Sequence, residues 1–179
     1  MSKKFRRSVL AASLLLVGYH ILMSSQVSNA AGPLQTLEQS SDAFLKGWLR
    51  QDVVYIITDE EKASFKRLTT DDERYQFIES FWLRRDPSPD TIENETRDEH
   101  YRRIAYSNAR FHAAEPGWKT DRGRIYVTLG PPDQIEAHPS GDGKSGPFEI
   151  WIYRAGSGPN ATSERTLEFG GTDYKLRER

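Results

Sequence analysis

An α+β fold, with N-terminal helices packed on a small C-terminal antiparallel sheet, is predicted by three observations. Apolar residues recur at helical spacing up to about residue 112. Two Thr-x-x-Glu helix starts, Thr58 to Glu61 and Thr70 to Glu73, fall in that same half. After Gly117 the apolar period changes to two, and glycines and prolines punctuate the pattern. Helices followed by strands make a meander within one domain, and the chain has no internal repeat.

The elements follow in order. Lys3, Lys4, Arg6 and Arg7 precede an apolar run from Val9 to Met23, interrupted by Ser13, Gly18, Tyr19 and His20, and Ser28-Asn29-Ala30 is followed by Ala31. A basic start, an apolar run and a small-residue pattern predict a secretory signal peptide over residues 1–30, cleaved after Ala30. The run is shorter than the roughly 20 apolar residues of a membrane span. An uncleaved inner-membrane anchor is the minority reading. The chain contains no cysteine, so lipoprotein processing, disulfides and thiolate chemistry are excluded.

Residues 31–179 form the domain. They hold 21 of the 25 basic residues and all 26 acidic ones, a net charge of −5. That balance gives no basic patch for nucleic acid. A first helix is expected over Leu34–Arg50, with Leu37, Phe44, Leu45, Trp48 and Leu49 near one face, and an extended lead-in over Asp52–Ile57. The two capping boxes open a short helix to about Leu68 and a second whose Phe77, Ile78, Phe81 and Trp82 share a side, stopped by Pro87 and Pro89. A long helix is expected over Ile92–His112, with Arg97, Tyr101, Ile104, Ala105, Asn108 and Phe111 as its stripe. Acids crowd its first half and arginines its second, which suits the helix dipole, and Glu99 can pair with Arg102 and Arg103. Ile125–Leu129, Phe148–Tyr153, Thr166–Phe169 and Tyr174–Leu176 read as strands, the last two as a hairpin around Gly170-Gly171.

The stretch Gly117-Trp118-Lys119-Thr120-Asp121-Arg122-Gly123-Arg124 is the most specific in the chain. It follows Phe77-Ile78-Glu79-Ser80-Phe81-Trp82-Leu83-Arg84-Arg85-Asp86-Pro87 and Asn94-Glu95-Thr96-Arg97-Asp98-Glu99-His100-Tyr101, and it precedes Gly130-Pro131-Pro132-Asp133 and Glu149-Ile150-Trp151-Ile152-Tyr153. With these pieces the chain resembles the GWxTD domain family of exported bacterial proteins across nearly all of residues 31–179. The resemblance implies an extracytoplasmic place of work and brings no established activity. Thr96 departs from the aromatic residue expected in the Asn-Glu-x-Arg stretch.

Two readings of the signature compete. In one it is a helix-to-strand junction: Gly117 takes a left-handed backbone, Trp118 buries its ring, Thr120 or Asp121 ties the turn, and Arg122 and Arg124 pair with Asp86, Asp133 or helix carboxylates. In the other, Trp118, Thr120, Asp121, Arg122 and Arg124 form a binding site for an anion or a peptide carboxylate. A tight turn beside a regular element is more often architecture, so the junction reading weighs more.

Glu95, Glu99 and His100 are the best acid–base candidates, because Glu95 and Glu99 lie one helical turn apart. The histidine is off the three- or four-residue spacing of a metal helix, and Arg97, Arg102 and Arg103 stand ready to neutralise the acids. Gly143-Lys144-Ser145 lacks the earlier glycine and the following helix of a phosphate loop. A divalent cation in residues 140–146 around Asp142 is a third idea. The numerous aromatics read as core before they read as a groove for a peptide or glycan. No cofactor, metal set or nucleophile motif is legible. The expectation is a non-enzymatic extracytoplasmic domain, a protein-interaction or envelope-associated module with an envelope protein or peptide as partner. The alternative is a hydrolase using Glu95, Glu99 and His100, or Asp121 with Arg122.

Overall fold

The computed structural model describes residues 41–141, 143, 146–156 and 163–177. The signal segment, the predicted start of the first helix at Leu34 and the loop positions Asp142, Lys144 and Ser145 lie outside the described residues. Residues 41–47 are α-helical, α1, and run into a π-helical turn, Trp48–Asp52. The widened turn closes with Val53 N–H donating to the Trp48 carbonyl at 3.1 Å. Asp52–Ile57 is therefore not extended: Ile56 and Ile57 N–H both fold back onto the Val53 carbonyl at 2.9 Å.

Both capping boxes form as predicted. Thr58 opens α2 (Asp59–Arg67) and Thr70 opens α3 (Asp71–Leu83), each with reciprocal side-chain bonds to the glutamate three residues on. The long helix α4 (Glu95–Phe111) begins three residues later than expected, because Asn94 is its cap. The Asn94 carboxamide accepts from Arg97 N–H and donates to the Trp82 carbonyl, both at 2.8 Å, so one side chain both starts α4 and ties it to α3.

The chief correction concerns Ile125–Leu129. It is not a strand but part of a helix, α5 (Asp121–Leu129), preceded by a 3-10 turn over Gly117–Lys119. Alternation favoured a strand, but Thr120 accepts from Gly123 N–H as a helix cap, and Gly123 and Val127 share the buried side at four-residue spacing. The first strand lies later. The sheet is an antiparallel meander of β1 (Gln134–His138), β2 (Phe148–Tyr153), β3 (Arg165–Gly170) and β4 (Lys175–Arg177), in that spatial order. The arrangement is α+β, with helices N-terminal and strands C-terminal.

Two apolar clusters result. Leu45, Trp48, Val53, Phe65, Ile78, Phe81 and Trp82 form the first, entirely from α1 to α3 and the turn between them. Phe111, Trp151, Tyr153 and Phe169 form the second, where the end of α4 meets the sheet, with Ile125, Tyr126 and Leu129 of α5 packed on it.

Candidate functional site

The signature is a stack of three backbones. A Cβ at Gly117 would fall 1.9 Å from the Ser107 carbonyl oxygen of α4, and one at Gly123 would fall 1.8 Å from the Gly117 carbonyl oxygen. Neither glycine has a positive φ, so the expected left-handed Gly117 is corrected: space, not backbone handedness, demands glycine there. Ser107 is fully buried for the same reason, since α4 must present a small residue where the 3-10 turn crosses it. This rotates the buried face of α4 to His100, Ser107 and Phe111; Ala105 and Asn108 of the predicted stripe are exposed.

Each polar side chain of the motif has an internal partner. Thr120 is buried, donates to the Gly117 carbonyl at 2.8 Å and accepts from Gly123 N–H at 3.1 Å. Asp121 accepts from Leu176 N–H of β4 at 2.8 Å and lies 3.6 Å from Arg124. Arg122 pairs with Glu149 of β2 at 3.0 Å, and its guanidinium stands 3.8 Å over the Tyr174 ring and 5.1 Å over Phe111. Of the expected partners, Asp86 and Asp133 are not used by these arginines; Arg124 takes a helix carboxylate, Asp121, and Arg122 a strand one. The second Glu149 oxygen accepts from the Trp151 indole N–H at 3.0 Å. Trp118 is buried against Tyr55, whose hydroxyl donates to the Trp118 carbonyl at 3.3 Å. Arg124 alone of the five is exposed.

The acid–base candidates lie elsewhere, on a cavity of about 490 Å³. The first half of α4 contributes Glu95, Thr96, Glu99, His100 and Arg103, and the end of α5 contributes Val127 and Thr128; Ile56 and Arg85 complete it. Glu95, Glu99 and His100 thus converge, whereas neither Asp121 nor Arg122 lines this cavity. Arg103 holds Glu99 at 2.8 Å, and Arg102 makes a second, shorter contact. His100 is buried, and its Nε2 lies 2.6 Å from the Asp52 carbonyl oxygen of the π turn. That contact makes Nε2 the protonated nitrogen, since a carbonyl only accepts. Burial lowers the His100 pKa below its ordinary value and outweighs the carbonyl, so the ring is neutral at neutral pH. Asp52 is shifted upward, first by burial, against the opposing bond from the Tyr101 hydroxyl at 3.3 Å.

The cavity therefore holds a neutral histidine fixed by a backbone carbonyl, one glutamate neutralised by arginines and one exposed glutamate, Glu95. Among the described residues no group of three histidine, aspartate or glutamate side chains could hold a metal ion. No helix among them is long and apolar enough to cross a membrane. Sequence reasoning missed Glu149, Tyr174 and Ser107, which complete the signature. Their distance along the chain left no local signal, although a Thr-Asp pair before Arg-Gly is itself a helix-cap pattern.

No curated protein and no solved structure matches the chain. The family model of the GWxTD domain matches residues 19–178. Gly117, Trp118, Thr120 and Asp121, which spell that signature, are the residues that lock α4, α5 and β4 together. The chain belongs to the GWxTD domain family.

Proposed function

We propose that this is a non-enzymatic, exported interaction domain that docks an envelope protein or peptide outside the cytoplasm. The observation that carries the reading is the internal use of the signature: the polar groups of Thr120, Asp121 and Arg122 are engaged in holding helices to the sheet. A motif whose polar groups are spent on folding supports a scaffold more than a reacting centre. The basic, apolar and small-residue succession of residues 1–30 supports export. The test is twofold. Fractionation of cells making the tagged full chain should place it outside the cytoplasm, shortened at the N-terminus. Cross-linking in intact cells should then join it reproducibly to the same envelope protein; a folded domain that joins to none would overturn the interaction reading.

A second reading has one observation in its favour: Glu95, Glu99 and His100 share a cavity. As a hydrolase site it would use Glu95 as the free carboxylate beside a neutral imidazole. Turnover of an ester, glycoside or peptide panel by the wild type, abolished by Glu95→Gln without loss of folding, would establish it. Absence of turnover across that panel removes it.

A further inference from the structure

A groove of about 530 Å³ runs between the first helix and α2. Its floor is apolar, built from Leu45, Leu49, Val54 and Phe65. Its walls are cationic. Lys46 and Arg50 stand four residues apart along the first helix and its π turn, Lys62 and Lys66 stand four apart on α2, and Arg74 closes the α3 side. Among the described residues, five cations and one carboxylate, Asp42, therefore line a groove in a protein whose net charge is −1.

Folding explains only part of this charge. Lys46 pairs with Asp42 at 2.6 Å, and Arg74 pairs with Asp71 at 2.8 Å and donates to the Leu68 carbonyl. Arg50, Lys62 and Lys66 have no ion-pair partner among the described residues, a state shared by other surface cations such as Arg67, Arg110 and Lys119, but here three of them line one groove. Like charges one helical turn apart disfavour a helix. Arg50 and Lys66 sit in the last turns of their helices, which suits the dipole, but that does not account for Lys62 or for two cationic rows facing a common apolar floor.

We propose that this groove binds an acidic peptide segment of a partner protein, with carboxylates on the two cationic rows and aliphatic side chains on the floor between them. The inference rests on the interaction reading given above and names the surface and the chemistry of its partner. Rows on separate elements suit several carboxylates in succession better than one phosphate on a single point. A concave apolar floor takes inserted side chains, which a flat anionic membrane does not offer.

The test is fluorescence anisotropy of a short dye-labelled peptide of alternating glutamate and leucine, titrated with the full chain at low salt. A lysine–leucine peptide and phosphatidylglycerol vesicles serve as comparisons. The expected result is saturable binding of the acidic peptide alone, weakened by added salt. Lys62→Glu with Lys66→Glu should weaken it about tenfold or more, Arg50→Glu on the opposite row should weaken it too, and Lys66→Arg should leave it intact. No binding of the acidic peptide, equal binding of the lysine peptide, insensitivity to both rows, or binding to vesicles alone would each overturn the proposal. The two readings fail separately: if the Lys62→Glu/Lys66→Glu chain still cross-links to the wild-type partner, the groove is wrong and the interaction reading stands. If the wild type cross-links to nothing, the interaction reading fails, and the anisotropy still decides the groove.

Discussion

The two apolar clusters each carry a glutamate–arginine pair resting on an aromatic ring, and they use it for different purposes. Beside the first cluster, Glu61 accepts from Arg84 and Arg85, and the Arg85 guanidinium stands 3.6 Å over Phe81. Glu61 is also the far half of the Thr58 capping box, so the same carboxylate starts α2 and fastens it to the end of α3. Beside the second cluster, Arg122 spans from α5 to Glu149 of β2 and lies on Tyr174. Glu61 is placed locally by its cap before the arginines reach it, whereas Glu149 has no such local anchor to a helix start. One chemical unit joins helix to helix in one region and docks helix on sheet in the other, across similar chain separations of 23–24 and 27 positions.

Substitutions should separate the regions sharply. Gly117→Ala and Gly123→Ala force a methyl into backbone atoms that cannot move aside, so each should cost about 3 kcal/mol or more in urea unfolding. A loss below half that would mean that the three-backbone stack relaxes readily. Arg122→Ala removes a pair whose side chains are only 18% and 17% exposed, together with its ring contact. We expect about 2–3 kcal/mol, less than a fully buried pair would lose, and Arg122→Lys should restore only part because the flat guanidinium is lost. The caps give a smaller contrast. Thr58→Ala should cost about 1 kcal/mol, and Thr120→Ala more, towards 2 kcal/mol, because Thr120 is buried and bonds twice. Gly47→Ala, in helical backbone with open space around it, should stabilise by about 0.5–1 kcal/mol and so bound the comparison from the other side.

Acid should act on Glu61 and on His100 in different windows. Burial alone would raise the Glu61 pKa, but bonds from Arg85, the Thr58 N–H and Arg84 bring it down to about 2. Its stabilising contribution is complete above the ordinary value of 4.5 and is lost as pH falls through about 2. Glu61→Gln should therefore flatten the acid limb of the melting temperature in that window. His100, with its pKa lowered by burial, acts at higher pH: its contribution is full above 6.5 and declines as the ring is forced to take a proton below that. His100→Asn should remove that decline, and an unchanged profile would show that the buried ring titrates freely.

Much of the first region was readable because its instructions are adjacent in sequence, although the turn over Asp52–Ile57, expected to be extended, was not. Thr58 with Glu61, Thr70 with Glu73, and Glu99 with Arg102 and Arg103 all form as their spacing predicts. The β2 strand and the β3–β4 hairpin were readable for the same reason. The Ile-Tyr-Val-Thr-Leu segment of α5 was not, because β-branched alternation favours a strand and tertiary packing overrode it. Its Thr128 hydroxyl bonds back to the Arg124 carbonyl at 2.8 Å, a local accommodation to the helix that spacing does not announce. Strand β1, with all but its last residue exposed, has no apolar face to betray it. Among the site residues, the sequence placed Trp118 and Thr120 in a buried turn, but the partners of Arg122 lie 27 and 52 positions away, beyond any local pattern.

The bond from Leu176 N–H to Asp121 has a consequence for how the sheet can grow. β1 and β4 are its two borders. At β4 the central amide is taken by a carboxylate from α5, and the strand is only three residues long, so that border offers little to another strand. β1 is longer and, among the described residues, has no strand on its far side. Among the described residues β1 is therefore the border that leaves strand addition open. The same aspartate that locks the signature thus also shields one border of the sheet.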